Sequence, residues 1–410
     1  MQAACVTSEI GRLKKVILHR PGKELLYLTP DTLDELLFDD IPFLKTAQAE
    51  HDAFAHILSD NGVQIIYLED LAAEAIGQDM GIREAFLHQY IAEAGIVSAD
   101  YTAAVFDYLN GIRDSKALIL KTMAGVPIHE LAVQPKKSLS QYVLGEHGML
   151  INPMPNLYFT RDPFSFIGHG VSLNRMHSLT RNRETIYGEY IFKYHPDFKN
   201  KTELYYSRSG IASIEGGDIL NINHSTIALG LSQRTTANAA DALARKLFYD
   251  SQSSVHTILV FKIPAIRAFM HLDTVLTQID YAAFTIHPGV LDRLQVFKIT
   301  RGTVFPDLNV TALDEKLETI LETYTGSGPV ELIPCAGGDK IAADREQWND
   351  GANTLCIGPG KVVVYDRNTV TNELFYKKGI KVFEMPSSEL SRGRGGPRCM
   401  SMPLQREALT

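Results

Sequence analysis

Four polar clusters, far apart in the chain, carry side chains able to do acid–base or nucleophilic chemistry. They are Asn156-Leu157-Tyr158-Phe159-Thr160-Arg161-Asp162, Glu215-Gly216-Gly217-Asp218, His271-Leu272-Asp273, and Arg392-Gly393-Arg394-Gly395-Gly396-Pro397-Arg398-Cys399-Met400. Brought together, they would put one thiol, one imidazole and the carboxylates of Asp162, Glu215 and Asp273 in one pocket. Such a set of carboxylates is costly unless a cation binds between them. A guanidinium fits that need, because it is planar and carries its donors in a fixed fork that two carboxylates can clamp. A metal ion is the competing cation, with His271 and Asp273 as ligands. One histidine among scattered carboxylates lacks a firm zinc pattern, so no metal site is expected.

Cys399 stands in a segment rich in arginine and glycine. Arginines favour the thiolate, and glycines such as Gly393 permit close backbone approach to a ligand. Cysteine is more often a small buried hydrophobe, and Cys5, Cys335 and Cys356 are read that way. The other candidates have plain structural readings too. His271 could be a satisfied core histidine, Glu215-Gly216-Gly217-Asp218 a tight turn, and Asp162 the start of an Asp-Pro turn. Arg181, Arg183 and Arg234 could be solvated residues at helix starts. Their joint placement in a repeating pattern favours a shared site.

That pattern is two short apolar strands joined by a tight turn, then a polar loop, an amphipathic helix and a further strand. Near the C-terminus, strands at 354–357 and 362–365 flank a Gly-Pro-Gly-Lys turn. A helix over 371–378 stops at Gly379, and a strand at 381–384 follows. A second copy has strands at 217–220 and 226–230, a helix over 237–248 and a strand at 257–261. A third has strands at 162–166 and 171–174 and a helix after Arg183. Segments 273–300 and 9–70 read as weaker copies. Each unit is too small to bury its own apolar face, so about five would pack around a shared axis. Ordinary α/β alternation is the blander alternative. Asp162, Glu215, His271 and Asp273 fall at or just before the first strand of successive copies, where they would converge on one mouth. Residues 71–147 carry helical spacing instead and read as a helical insertion.

Composition narrows the class. A chain of 410 residues, 45% hydrophobic, exceeds one simple core, so a large domain with an insertion, or two domains, is expected. The formal net charge of −8 disfavours a nucleic-acid partner. No apolar run reaches the length of a membrane-spanning helix. Residues 1–7 lack a basic region followed by an apolar run, so no secretory signal is expected. The cysteines form no Cys-x-x-Cys pair, which suits a reducing cytosol.

At these residues the sequence resembles the bacterial arginine deiminases of the guanidino-group modifying superfamily. The resemblance runs from Ser8-Glu9-Ile10-Gly11 through Leu36-Leu37-Phe38-Asp39-Asp40 and Phe159-Thr160-Arg161-Asp162 to Cys399-Met400-Ser401-Met402-Pro403. It implies an α/β fold, a five-bladed pseudo-symmetric α/β-propeller of ββαβ units over 1–70 and 148–410, with an inserted helical domain at 71–147. It implies hydrolysis of free L-arginine to L-citrulline and ammonia through an S-alkylthiouronium on Cys399, without a cofactor. His271 and Glu215 would handle protons, and Asp162 and Asp273 would hold the guanidinium. Arg181 and Arg234 resemble α-carboxylate binders, and Asn156 and Phe159 resemble contacts to the substrate's side chain and α-amino group. Arg394 resembles a mobile arginine beside Gly393, and Leu37 belongs to a segment near the lid. A cytoplasmic homo-oligomer is implied as well. The rival readings are another guanidine-modifying enzyme of the same fold (a dimethylarginine hydrolase or an amidinotransferase), a non-catalytic binding protein on that scaffold, and a metal-dependent hydrolase.

Overall fold

The computed structural model describes residues 4–131, 139 and 148–409; the expected insertion's last stretches, 132–138 and 140–147, lie outside them. Strand β1 (Leu13–Leu18) leads through helix α1 (Leu44–Asp60) to β2 (Gln64–Tyr67). Helices α2 (Leu68–Ile76), α3 (Met80–Glu93), α4 (Ala99–Asn110) and α5 (Ser115–Ala124) follow, and a ribbon of β3 (Val126–Pro127) and β4 (Met149–Ile151) closes that excursion. Then come β5 (Phe164–Ile167), β6 (Gly170–Leu173), α6 (Thr185–Tyr194) and β7 (Leu204–Tyr206). The next unit has β8 (Ile219–Asn223), β9 (Thr226–Leu231), α7 (Ala237–Tyr249) and β10 (Thr257–Lys262). After it run β11 (Leu276–Asp280), β12 (Ala283–Ile286), β13 (Gln295–Arg301), β14 (Leu308–Leu313), α8 (Leu317–Thr325) and β15 (Glu331–Pro334). The chain ends with α9 (Lys340–Trp348), β16 (Leu355–Gly358), β17 (Lys361–Tyr365), α10 (Thr369–Lys377), β18 (Lys381–Met385) and β19 (Met402–Arg406).

One connection recurs among these sheets. The first strand runs antiparallel to the second, and the second runs parallel to a third: β5-β6-β7, β8-β9-β10, β11-β12-β15 and β16-β17-β18. Tight turns suffice for the antiparallel step, whereas the parallel step needs a crossover, which the helices supply. The turns of the first and last of these hairpins use Gly168 (φ 58°) and Gly360 (φ 65°) in the left-handed region. The segment 9–70 completes the same arrangement only with the C-terminus, since β19 pairs antiparallel with β1, and β1 parallel with β2.

The weaker copy expected over 273–300 needs correction. Its hairpin is β11-β12, but β13 leaves that sheet and pairs antiparallel with β10, extending it to β14-β13-β10-β9-β8. Its own third strand lies further on, at β15. Strand β10 reads Thr-Ile-Leu-Val-Phe-Lys, and an apolar edge of that kind invites pairing, which the β13–β14 ribbon satisfies while presenting a largely exposed outer strand.

The helical spacing read in 71–147 is present in α2 to α5. Helix α3 buries Arg83, Phe86, Leu87, Tyr90 and Ile91 at steps of three and four, and Asp79, Ser98 and Asp114 cap three of the helices through their side chains. Phe86, Leu118 and Met123 belong to one apolar cluster with Phe164, Phe166 and Phe192, so the helices share a core with the β5-β6-β7 unit.

Candidate active site

The residues just before each first strand form the site. Asp162 precedes β5. Glu215 precedes a single 3-10 turn, Gly216–Asp218, that leads into β8, and His271 stands in the same place before β11. Asn353 precedes β16 and Cys399 precedes β19. A Cβ at Gly217 would lie 2.6 Å from the His271 ring, so the Gly-Gly pair serves close packing as well as turning.

His271 is buried. Its Nε2 lies 2.8 Å from Glu215 Oε2 and its Nδ1 3.9 Å from Asp162 Oδ1. Burial pulls its pKa down, but Asp162, Glu215 and Asp218 outweigh that and push it up to about 9. Glu215 is held below the usual carboxylate range: burial opposes ionisation, and Arg234, His271 and Arg181 prevail. Arg181 Nη1 donates to Asp162 Oδ2 at 2.8 Å, and its Nη2 lies 3.0 Å from Glu184 Oε2. Arg234 Nη1 stands 3.9 Å from Glu215 Oε1. Both arginines are buried, which removes the solvated-helix-start reading. Arg181, named above as a carboxylate binder, is already shared between two carboxylates of this chain.

Cys399 Sγ lies 3.6 Å from Asp273 Oδ2, and the same oxygen accepts from Arg398 Nη1 at 2.6 Å. The backbone N–H of Cys399 donates to Asn353 Oδ1 at 3.1 Å, and Asn353 Nδ2 donates to the Asp273 carbonyl at 3.1 Å. The expectation that neighbouring arginines lower the thiol pKa holds for Arg398, but other groups outweigh it. Burial, then Asp273, Asp162 and Asp350, hold it well above the thiol range. Arg392 pairs with Asp40 and Glu389, and Arg394 lies over the Trp348 ring at 3.5 Å. Arg398 favours the thiolate but is divided between Glu9 and Asp273.

A cavity of about 20 Å³ opens between these groups, lined by Leu37, Asn156, Phe159, Asp162, Arg181, Arg234, Arg267, Met270, His271, Gly393, Arg394 and Cys399. Glu215 and Asp273 stand buried behind it. Asn156 Nδ2 donates to the Leu36 carbonyl at 2.8 Å, which ties the pocket wall to the Leu37 segment. Leu37 (φ 61°) and Arg394 (φ 63°) are left-handed without being glycine, a conformation that costs roughly 1–2 kcal/mol each. Among the described residues, Asp162 Oδ1, Asp273 Oδ1, Arg234 Nε and Arg394 Nε and Nη1 are buried without a hydrogen-bond partner. Leaving such groups unpaired costs about 1–3 kcal/mol apiece, so the site is built for something that satisfies them. Two buried carboxylates near a thiol, each with one oxygen lacking a hydrogen-bond partner, suit the donors of a planar cation. Asp162, Glu215 and His271 have ligand atoms within 4.8 Å of one another, a spacing a metal could use. Arg181 and Arg234 already neutralise those carboxylates, which weakens the case for a metal.

Sequence reasoning missed Asn353, Arg267 and Glu184, and named Arg398 only as one of the arginines beside Cys399. Asn353 was findable, since it holds the strand-start position of its repeat. Arg267 and Glu184 gave no signal, because their importance lies in partners distant in sequence or in a loop geometry.

The sequence matches the profile of the arginine deiminase family over residues 34–406. It is 66% identical over 402 residues to an arginine deiminase of Treponema denticola, covering 98% of each chain. It is 54% identical over 411 residues to one of Clostridium perfringens, covering 100% of this chain and 99% of that one. Among solved structures, SxtG, an amidinotransferase from Microseira wollei, aligns with a TM-score of 0.56 at 13% identity, over 99% of this chain and 98% of that one. The N-terminal domain of ArgZ, a cyanobacterial arginine dihydrolase, aligns at 0.53 and 12% identity, over 97% and 99%. At those identities the structural likeness speaks for the α/β fold alone, while the sequence matches settle the family: this chain belongs to the arginine deiminases.

Proposed function

We propose that this protein hydrolyses free L-arginine to L-citrulline and ammonia through a covalent intermediate on Cys399. The observation that carries the reading is the thiol of Cys399 in one cavity with His271 and Asp162, whose Oδ1 has no hydrogen-bond partner, and with Asp273 Oδ2 3.6 Å from the sulfur. Relatives named arginine deiminase at 66% and 54% identity support the same substrate.

In this reading Asp162 and Asp273 hold the substrate guanidinium, and its positive charge offsets the aspartates that keep the free thiol protonated. The sulfur attacks the central guanidinium carbon as its proton passes to solvent, where it is later taken up by the released ammonia as ammonium. His271, protonated at neutral pH, gives a proton to the departing amino group, which leaves as ammonia, and an S-alkylthiouronium remains. Water, deprotonated by His271, adds to that carbon. The C–S bond breaks, citrulline departs and the thiol is restored. Glu215 orients His271 and shares its proton traffic. Arg234, with its free Nε, receives the α-carboxylate together with Arg181, and Asn156, Phe159, Leu37 and Gly393 line the approach. A cavity of about 20 Å³ holds little more than one water, so Arg394 has to shift to admit arginine.

The finer architecture follows the same reading. Five sheets with one connection, the last of them joining β19 to β1, support a five-bladed α/β-propeller over 1–70 and 148–410 with a helical domain inserted at 71–147. Free, separated cysteines support a reducing, cytoplasmic setting. No helix among the described residues is long and apolar enough to cross a membrane.

The test is incubation of purified protein with arginine, assayed for citrulline and ammonium beside Cys399→Ala. The wild type is expected to form both in equal amounts and the variant neither, with its thermal melt retained. Citrulline formation by the variant removes Cys399 from the chemistry. Transfer of the amidino group to added glycine would favour an amidinotransferase instead.

A further inference from the structure

Two motifs remain without a role in that mechanism: Glu9, at the start of the chain, and Arg398, one residue before the nucleophile. They meet behind the cavity. Arg398 is among the largest fully buried side chains, and all of its guanidinium nitrogens are engaged. Nε donates to Glu9 Oε2 at 3.0 Å, Nη1 to Asp273 Oδ2 at 2.6 Å, and Nη2 to the Ile219 carbonyl at 2.8 Å. Glu9 is fixed in turn, since its Oε1 accepts the Asn221 N–H at 3.0 Å. Burial alone would raise its pKa, yet Arg398 and Arg161 draw it down to about 2, so the pair is ionised. Asp162 is held the same way: Arg181 takes Oδ2, and Oδ1 has no partner.

We propose that Arg398, anchored by Glu9, is a positioning residue that decides which oxygen of Asp273 meets the substrate, by occupying Oδ2 and turning Oδ1 to the guanidinium. This rests on the arginine-hydrolysing reading of the same site. A carboxylate bonded at one oxygen by a rigid fork cannot rotate to offer both, so Asp273 makes a single directed contact and the reacting carbon is fixed against the sulfur. Oδ2 also lies 3.6 Å from Cys399 Sγ, so without that fork its charge is no longer offset there and burdens the thiolate further. Lysine cannot replace the fork, because its single ammonium cannot reach Glu9, Asp273 and the Ile219 carbonyl together.

The experiment is a double-mutant cycle between Arg398→Lys and Asp273→Asn. It is read on the rate at which iodoacetamide alkylates Cys399, followed on that peptide by mass spectrometry, with kcat and KM measured for Arg398→Lys. Alone, Arg398→Lys is expected to slow alkylation at least about fivefold and to lower kcat at least about 100-fold, with KM changed far less. In the Asp273→Asn background it is expected to change alkylation less than about twofold. An equal slowing in both backgrounds, or a single variant that behaves as wild type, overturns the proposal. Glu9→Gln, which keeps shape and removes charge, is the second arm. It is expected to lower kcat about tenfold with the same dependence on Asp273, and wild-type kinetics would overturn the anchoring role. If the wild type forms no citrulline from arginine, the functional reading fails, while the alkylation cycle still decides whether Arg398 acts through Asp273.

Discussion

Two buried histidines of this protein sit between paired carboxylates and differ in one respect. His19 Nδ1 lies 2.8 Å from Glu69 and its Nε2 3.3 Å from Glu24. His271 Nε2 lies 2.8 Å from Glu215 and its Nδ1 3.9 Å from Asp162. Burial lowers both, and the carboxylates overcome it, raising His19 to about 10 and His271 to about 9. Titration alone would rank them together. The difference is that His19 closes both of its nitrogens on partners at the junction of β1, α1 and α2. His271 faces a cavity shared with a thiol and an unpartnered carboxylate oxygen. His51 adds the converse case. Both its ring nitrogens are unpartnered, yet it lines no part of that cavity, and burial and the charge of His19 keep it neutral, at about 3. A perturbed pKa or an unsatisfied atom marks a buried site; their meeting in a cavity marks a reactive one.

The sharpest way to break this comparison is His271→Asn. It is expected to lower kcat by about 1,000-fold or more, because in the proposed mechanism both proton transfers pass through the ring. Its thermal melt should move little, since Glu215 keeps Arg234 and the His177 N–H as partners. A variant within tenfold of wild type would return His271 to the structural class of His19. For the wild type, activity is expected to fall as pH rises through about 9, where His271 loses the proton that the proposed mechanism passes to the departing amino group. A kcat that keeps rising to pH 10 would remove the imidazolium from the rate-limiting step.

The complementary variant is His19→Gln. Unpairing the buried Glu24 and Glu69 is expected to cost about 3 kcal/mol of stability or more, visible in urea unfolding, with kcat unchanged within about twofold. Its pH dependence has a definite sign. The folded pKa of about 10 lies above the ordinary 6.5, so this contribution is complete below 6.5 and is lost as pH rises through 10. Wild-type stability should decline by an amount on the order of a few kcal/mol across that window, His271 adding in the same direction, and His19→Gln should decline less. Parallel curves for the two proteins would show that His19 is not the titrating group.

Cys399, Asp162, Glu215 and His271 were legible in the sequence because a chemical residue type coincided with a strand start in a repeating unit. Asn353 holds the same position but is an uncharged amide, and nothing in its type announces that it binds the backbone N–H of Cys399. The Glu9–Arg398 pair spans 389 positions, so no local window contains both. The His19 cluster joins residues 50 apart for the same reason. Hairpins and crossover helices were readable from turn residues and periodicity. The departure of β13 to the neighbouring sheet depends on which edge is left open in three dimensions, and the raised pKa of Cys399 depends on its burial and on aspartates brought to it from distant segments.

The mouth of the cavity makes a third case, where partly exposed Asp39 and Arg267 meet the buried Arg394. Arg267 Nη2 lies 2.6 Å from Asp39 Oδ1, and Arg394 Nη1 lies 3.7 Å from Asp39 Oδ2. Asp39 and Arg267 are each about a third exposed, so water and salt screen what burial amplifies around His19 and His271. Exposed pairs contribute about 0.2–1 kcal/mol. Asp39→Asn therefore releases Arg267 at small cost and removes only a 3.7 Å contact from Arg394, and KM for arginine is expected to change by less than about fivefold with kcat retained. Raising the ionic strength to roughly 0.5 M should shift the wild-type KM the same way and leave the variant's almost unmoved, because the pair it would screen is already gone. The fluorescence of Trp348, the only tryptophan in the chain, reports the same event, since Arg394 stacks on its ring. If Asp39→Asn abolished turnover, or left both KM and that fluorescence unaltered, the mouth would belong with one of the two buried histidines, and the distinction drawn from solvent screening would fail.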